Sequence, residues 1–560
     1  MAPKTLTDLP PELQLTVVEY IPKSSDLKSI CLTCKELRIA ALPTLYHKVV
    51  IHLDECTIPA LNGIFLANNS GRAYTRVLVF EKYSSRQLTM AWRTMSVALQ
   101  LLVRDSLTEI RLDPGLVLDL DFLLSLSANQ RKLKRIWLPP VGRIVAVAAS
   151  SPAFSWEWLQ NVESLMLPCL IESLEDIQGY HQFIKHAGKV KEMGLWTHKT
   201  ESNKGLERQL RATAQSDGVL LSTLFSHIAP FGSGSALQCS RLDLSRSRLL
   251  YETRFLSSIF NFCALRRLTL ISCSGAGVLL RALTSSFSGG SSALKRFSYV
   301  GKPIEVAVLK GFLQSFSGLL ALKLRYTQDT QADFFDMSCL RSHRTTLAQL
   351  ILRMQKAGQH DGQDTVALSR HQVSSLCHEC PCLRHLGLAL PIITLGEAGG
   401  VDLGDLPLVI DELAKLQRLD VLNVANWPTL PNGTLLHEDD EVDPEASEDR
   451  RLEIEPYNQL HVLAWLDTLA TELLRHFARG KGTSSVLSLP TLWFGAQIPS
   501  PSYAVSVDRK TTVPMQPTSY FATAQTDRYG RMAIKAERIR AEEHKYLEGD
   551  QDEGTLVEFA

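Results

Sequence analysis

From Thr75 to Val424 the chain returns again and again to one hexamer, apolar-x-x-apolar-x-apolar. After a weaker first copy, TRVLVF from Thr75, come LTEIRL from Leu107, LKRIWL from Leu133, VESLML from Val162 and VKEMGL from Val190. CSRLDL from Cys239, LRRLTL from Leu265, LKRFSY from Leu294 and LLALKL from Leu319 follow, then LAQLIL from Leu347, LRHLGL from Leu383 and LDVLNV from Leu419. Successive copies begin 25 to 36 residues apart, with one step of 49 that has room for an insertion or a degenerate copy. The last two apolar positions are two apart, so on a strand they point to one face. A single unit of this length cannot bury that face, but stacked neighbours can, with their strands paired in parallel.

The stretches between the hexamers are helix-like. Residues 91–104, 173–186 and 330–343 repeat apolar side chains every three or four positions. Each unit is therefore a short strand plus a helical return, and the array is expected to be an α/β solenoid of parallel strands. This pattern resembles the leucine-rich-repeat family in a long-repeat form. It departs from that family in mostly lacking the Asn or Cys that follows the strand motif, which implies an uneven horseshoe. The competing architecture, one doubly wound domain, would need about twelve strands in one sheet, more than open twisted sheets usually hold.

Other segments break the pattern. HEDDEVDPEASEDRR (437–451) has eight acidic residues between 438 and 449 and no apolar period, so it reads as a solvated loop. Residues 458–482 read as a strong amphipathic helix stopped by RGKG, and 484–495 as a last strand. The chain from about 500 is rich in Pro, Ser and Thr, and 527–548 reads as a charged helix with a thin apolar face. The expected organisation is a helical module over 1–53, the solenoid over 54–500, and a polar, partly disordered tail over 501–560.

The first fifty residues contain three helical signals. Pro10 and Pro11 suit a helix start, Leu13, Val17 and Ile21 form a stripe, and Pro22 ends it. Ser24, Ser25 and Asp26 supply caps for a second helix whose apolar face is Leu27, Ile30 and Cys31. Thr33-x-x-Glu36 fits a capping box for a third helix carrying Leu37 and Ala41 and closed by Pro43. Residues 46–53 then alternate like a strand. So small a module needs another surface for its excess apolar area.

Taken together, LTDLPPELQLTVVEYIPKSSDLKSICLTCKELRIAALPTLYHKVVI resembles an F-box of the fungal type. The resemblance rests on Leu9-Pro10, Glu12-Leu13, the helix ending in YIP, Asp26-Leu27, CKELR and the LPTLYHKVVI exit. It covers about 45 of the 560 residues, and its position before leucine-rich repeats is a known family arrangement. It implies a substrate receptor of an SCF-type ubiquitin ligase, docked on a Skp-family adaptor and through it on a cullin. By that resemblance Leu9, Pro10, Leu13, Val17, Ile21, Leu27, Ile30, Cys34 and Leu37 line or support the docking surface. For Leu13 and Leu37, core packing and partner contact both stay open. Leu9 and Pro10 precede the first helix and have less local core to fill, which favours contact.

The candidates for chemistry are few. Cys31-x-x-Cys34 has redox spacing, yet Cys31 lies on a helix's apolar face with no strand before it, and free cysteine packs as a small hydrophobe. His371, Cys377, His378, Cys380, Cys382 and His385 could supply zinc ligands, but a second Cys-x-x-Cys or a His-x-x-x-His is lacking and CPCLRHLGL is a repeat lead-in. SALK (292–295) matches Ser-x-x-Lys, a pattern short enough to arise by chance on a repeat strand. Lys plus Arg and Asp plus Glu both number 59, which gives no reason to expect nucleic acid or an anionic membrane as partner. Eleven scattered cysteines do not form a disulfide scaffold, and no apolar run reaches about 18 residues. With no secretion signal, the glycosylation patterns at 68–70 and 432–434 read as chance, and the cytoplasm or nucleus is the expected compartment. The expectation is a non-catalytic receptor without cofactor or metal, whose substrate is unknown. A repeat scaffold acting outside a ligase is the alternative, and an enzyme with an unrecognised site a third.

Overall fold

Each hexamer becomes a strand that starts at or near its third position. The computed structural model describes residues 6–21, 24–53, 58–65, 69–81, 88–113, 116, 118–152, 154–170, 173–198, 220–227, 236–247, 249, 253–288, 292–302, 304–328, 335–356, 366–391, 394–395, 401–402, 404–426, 435–438, 459–482, 489–494, 512–515, 518–526 and 532–538. They fall into two compact units, Met1–Asn261 and Phe262–Ala560. That division lies inside the array expected over 54–500 and not at either of its ends.

In the first unit the strands are β1 (Lys48–His52), β2 (Val77–Glu81), β3 (Glu109–Leu112), β4 (Arg135–Trp137), β5 (Ser164–Leu170), β6 (Glu192–His198) and β7 (Arg241–Ser245). They pair in parallel, in chain order. The second unit continues with β8 (Arg267–Ile271), β9 (Arg296–Gly301), β10 (Ala321–Gln328), β11 (Gln349–Lys356) and β12 (His385–Leu388). Next come β13 (Thr394–Leu395), β14 (Val401–Asp402), β15 (Val421–Val424), β16 (Leu435–Glu438), β17 (Thr491–Phe494), β18 (Thr512–Met515), β19 (Thr518–Thr526) and β20 (Met532–Arg538). Here β8 to β12, β15 and β17 form a parallel ladder in chain order, closed by antiparallel β19 and β20. Two short ladders stand apart, β13 with β14 and β16 with β18. Neither unit reverses its order among the parallel strands, so neither is doubly wound. Both have the connectivity of an α/β solenoid.

The register never slips. The hexamer's fourth position pairs with the fourth position of the next copy, as in Ile110 with Ile136, Ile136 with Leu165, and Leu165 with Met193. In the second unit Phe297 pairs with Leu322, Leu322 with Leu350, and Leu350 with Leu386. One carbonyl pins each step before the strand begins. The second-position carbonyl of one copy accepts the second- and third-position N–H groups of the next. Thr108 accepts from Lys134 and Arg135 at 2.7 and 3.1 Å, and Lys295 accepts from Leu320 and Ala321 at 2.8 and 3.0 Å. All three apolar positions go inside. Leu319, Leu322 and Leu324 are each 0% exposed. The first of them enters from the turn, so the core receives three side chains per copy, each worth about 1.5–3 kcal/mol when fully buried.

Entry from the turn leaves a buried N–H that something must satisfy. Gln130 accepts the Leu107 N–H at 3.1 Å, and His343 Nδ1 accepts the Leu319 N–H at 3.4 Å. The residue type differs from copy to copy, which is why no fixed polar position shows in the sequence.

The helical returns form the other layer. The segment expected at 91–104 is a helix over Leu88–Leu101, and that at 173–186 is Leu174–His186, started by a capping box between Ser173 and Asp176. The helix expected over 330–343 is different. Residues 330–334 lie outside the described residues, and Met337–His343 is a 3-10 helix. Its cause is Asp336, whose Oδ1 accepts the Ser338 N–H two residues on, where an α-helical start uses the third. Ion pairs tie neighbouring returns: Lys310 to Asp336 at 2.7 Å, and Arg341 forked on the buried Glu379 at 2.8 and 3.2 Å.

The carboxy-terminal segments correct three expectations. The tail expected to be polar supplies β18, β19 and β20, and β20 (532–538) occupies the segment read as a charged helix. Its thin apolar face has period two: Ala536 is buried, its N–H donates to Thr471 Oγ1 at 3.1 Å, and Arg475 holds the Ile534 carbonyl at 3.2 Å. Both partners come from the expected amphipathic helix, which spans Gln459–Lys481 and stops at Gly482, φ +61°. His437 and Glu438 belong to β16, and the rest of the acidic run lies outside the described residues. Among the described residues no helix is long and apolar enough to cross a membrane.

Two measurements check this architecture. Leu322→Ala should cost about 2–5 kcal/mol because it empties a fully packed row, while Leu320→Ala, on a residue 42% exposed, should change stability by about 0.5 kcal/mol or less, both read from urea unfolding midpoints. Burial also pushes the His343 pKa down to about 4, against about 6.5 for the unfolded ring. Stability should then be lost as pH falls from about 6.5 toward 4, where the unfolded chain binds the proton more readily. His343→Gln should lose less melting temperature than wild type between pH 7 and pH 5.

Candidate functional site: an exposed apolar face on the amino-terminal helices

Three helices precede the first strand: α1 (Pro11–Glu19), α2 (Ser24–Cys31) and α3 (Lys35–His47). Pro11 occupies the first helical position of α1, where its missing N–H costs nothing. Gln14 anchors the entry to α1, its Nε2 donating to the carbonyls of Leu9 at 2.8 Å and Thr7 at 3.3 Å. The small core is Val18, Leu27, Ala40 and Ala41, with Ile21, Ile30, Cys31 and Leu45 packed against it.

Two local expectations fail on α3. Its N-cap is Cys34 and not Thr33: the Cys34 Sγ accepts the Leu37 N–H at 3.5 Å, while Thr33 bonds back to the Ile30 carbonyl. Pro43 sits inside the helix and does not end it. A proline removes one helical bond, and the turn beyond it is held by other contacts. Leu45 packs on the core, and the Tyr46 ring lies where a Cβ on Gly71 would fall. Asn69 adds a 3.1 Å bond to the Tyr46 hydroxyl. Strand β1 follows directly, so the strand counted with the 1–53 module is the first strand of the sheet.

With Gln14 and Val18 turned inward, α1 turns apolar residues outward. Leu13, Val17 and Tyr20 are 50, 40 and 83% exposed. They stand four and then three residues apart, which places them on one stripe. Leu32, between α2 and α3, is 87% exposed, and Ile39 on α3 is 60% exposed. Of the nine residues named from the sequence, Pro10, Leu13 and Val17 are exposed, and Leu9, Ile21, Ile30 and Cys34 are half-buried. Leu27 and Leu37 are inside, so they support the face and do not form it. Tyr20, Leu32 and Ile39 were missed. Tyr20 was legible as the next step of the Leu13–Val17 stripe. Leu32 and Ile39 were not, because only the packing of Ala40 and Ala41 decides which side of α3 faces out.

The thiols are placed for packing. Burial raises the Cys31 pKa, opposed by Arg38, which is the reverse of what a nucleophilic thiol needs. Cys377 and Cys380 are buried and pushed up to about 12 by desolvation, while His371 and His378 are exposed and Cys382 and His385 half-buried. Among the described residues no three His, Cys, Asp or Glu side chains converge as a metal shell. Ser292 Oγ accepts the Leu294 N–H at 3.2 Å and Lys295 Nζ donates to the Gly318 carbonyl at 3.2 Å, so the Ser-x-x-Lys pair is spent on two separate turns.

The sheet face opposite the core differs between the units. In the first unit it is charge-compensated: Glu109 pairs with Arg111 and with Arg135 at 3.3 Å, Arg111 lies 4.7 Å over the Trp137 ring, and Arg241 pairs with Asp243 at 2.7 Å. Compared with known proteins, the chain matches no family profile and no curated sequence.

A thiol titration tests the placement of the cysteines. Cys239, Cys377 and Cys380, each pushed up to about 12, should resist a chromogenic disulfide reagent at both pH 7 and pH 9 and react on denaturation. Labelling of any of them within minutes in native buffer contradicts their burial.

Proposed function

We propose that the chain is a non-catalytic substrate receptor of an SCF-type ubiquitin ligase. The amino-terminal helices dock a Skp-family adaptor, and the sheet units hold a protein substrate. The observation that carries this reading is the outward stripe of Leu13, Val17 and Tyr20 on α1, the helix whose sequence resembles the first helix of an F-box. Large apolar side chains that face water beside a closed core fit a surface waiting for a partner. The leucine-rich-repeat resemblance adds a rigid extended sheet on which a substrate can be presented. Holding the substrate near a charged conjugating enzyme turns a rare encounter into a local one, so this chain need supply no bond chemistry.

Co-purification of the full chain with a Skp-family adaptor tests the proposal. Leu13→Asp with Val17→Asp should weaken adaptor binding by about 100-fold or more, since buried anchors are commonly worth 2 kcal/mol or more each. Leu9→Asp with Pro10→Ala should weaken it as well. Val147→Asp, on a residue 53% exposed in the helix Gly142–Ala149, should leave it unchanged. A folded wild-type chain that ignores the adaptor is a scaffold of another kind.

A further inference from the structure

Strand β20 is held by a helix that contacts its backbone. Along the helix Gln459–Lys481, Asp467, Thr471 and Arg475 stand four residues apart, on one stripe. Asp467 Oδ1 accepts from Arg538 Nη2 at 2.6 Å, Thr471 Oγ1 accepts the Ala536 N–H at 3.1 Å, and Arg475 Nε donates to the Ile534 carbonyl at 3.2 Å. The contacts fall on every second residue of β20, in the opposite chain direction. Four helical residues rise about 6 Å and two strand residues about 6.6 Å, so stripe and strand stay in step over three contacts. Two of the three go to backbone groups, which every residue but proline presents.

The neighbouring strand is anchored differently. Tyr520 on β19 is 0% exposed and packs edge-on against Phe494 of β17, with ring centroids 5.8 Å apart. From Ile534 to Arg538 on β20, only Ala536 is buried; Ile534 is half-buried, and Lys535, Glu537 and Arg538 are exposed. The Asp467–Arg538 pair is partly exposed on both sides, so water and salt weaken it. A strand held by one small buried side chain and three polar contacts belongs to the low-stability end of a structure, whereas a buried tyrosine ties β19 to the sheet. What β20 fills is therefore a slot, with the edge of β19 on one side and a row of polar side chains on the other.

We propose that this slot is an acceptor for an extended segment of a partner protein, filled in cis by Met532–Arg538 until the partner's segment displaces it. Such a segment joins the sheet as an added strand, held chiefly through its backbone. It needs a small residue where Ala536 is buried and an arginine two residues later. That arginine reaches Asp467, and in cis it lies 5.9 Å from the centroid of the Tyr520 ring, which also favours a cation. The positions of Lys535 and Glu537 face water and are free to vary. The slot uses no residue of the amino-terminal helices, so it stands or falls apart from the ligase reading.

The cis strand sets the apparent affinity. A tethered segment competes at a high effective concentration, so a free segment binds the closed chain poorly. Substitutions on β20 leave the slot itself intact. Ala536→Asp puts a charge in the buried position, and Arg538→Glu turns the attraction to Asp467 into repulsion. Both should expel β20 and raise the affinity for a free segment. Asp467→Lys alters the slot and should reverse its choice between arginine and glutamate.

The test is fluorescence anisotropy of the full chain with a labelled, end-blocked peptide MAIKAER, the sequence of β20. Binding should be about tenfold or more tighter to the Ala536→Asp chain than to wild type, and about threefold tighter to the Arg538→Glu chain. In the Ala536→Asp chain, a peptide with Glu in place of its Arg should bind about threefold more weakly, and adding Asp467→Lys should reverse that preference. Hydrogen exchange of the wild-type chain should be faster at 532–538 than at Thr491–Phe494, the more so as salt is raised, and exchange over β8 to β12 should be the same in the variants. Adaptor binding should be untouched by Ala536→Asp, which separates the two proposals. The proposal is overturned by exchange at 532–538 as slow as at 491–494, by equal peptide affinity of the wild-type and Ala536→Asp chains, or by indifference to Glu in place of Arg. It is also overturned by lost protection over β8 to β12 in the variants, which makes β20 part of the fold, or by a wild-type dimer that Ala536→Asp abolishes, which makes a second copy the occupant.

Discussion

Everything in this molecule depends on the forked hydrogen bond at the second position of the hexamer. One carbonyl takes two successive N–H groups from the next copy, so each strand is aligned before it begins. Because side chains alternate, a slip of one residue would turn every buried leucine outward. The fork removes that freedom. The apolar rows then stack fourth position on fourth position, and first-position residues such as Leu107 and Leu319 enter from the turn to fill the space beneath.

Once the core takes the apolar positions, the other face is free to differ. In the first unit it is balanced, with Glu109 shared between Arg111 and Arg135. In the second, Arg325 is buried and Arg353 donates to the Ala425 carbonyl at 2.9 Å. The same division of labour governs α1. Gln14 and Val18 hold the helix in place, and that leaves Leu13, Val17 and Tyr20 facing out. In both places one side of an element is used for folding, and the opposite side is left to vary.

Legibility followed periodicity. Every hexamer read from the sequence is a strand, because three apolar positions at fixed offsets have one common solution when copies stack. The 173–186 and 458–482 helices were legible for the same reason, helped by Ser173 and Gly482 at their ends. Local signals misled where a contact distant in sequence outweighed them. Pro43 does not stop α3, because Leu45 and Tyr46 are held beyond it. Residues 532–538 form a strand and not a helix, because Thr471 and Arg475 hold their backbone. Cys34 caps α3 in place of Thr33, whose hydroxyl turns back to Ile30.

The sequence by itself determined the repeat, its spacing, the α/β character and the three-helix start, since those rest on local periodicity and on burying apolar area. Tertiary structure decided which faces remain for others. Leu13 and Leu37 were equivalent as sequence, yet one is half exposed and the other buried. Arg267, Arg296, Lys323, Arg325 and Arg353 are scattered over 87 residues, and only the parallel register draws them into one line. A charge pattern perpendicular to the strands has no period along the chain, so it exists only once the strands are paired.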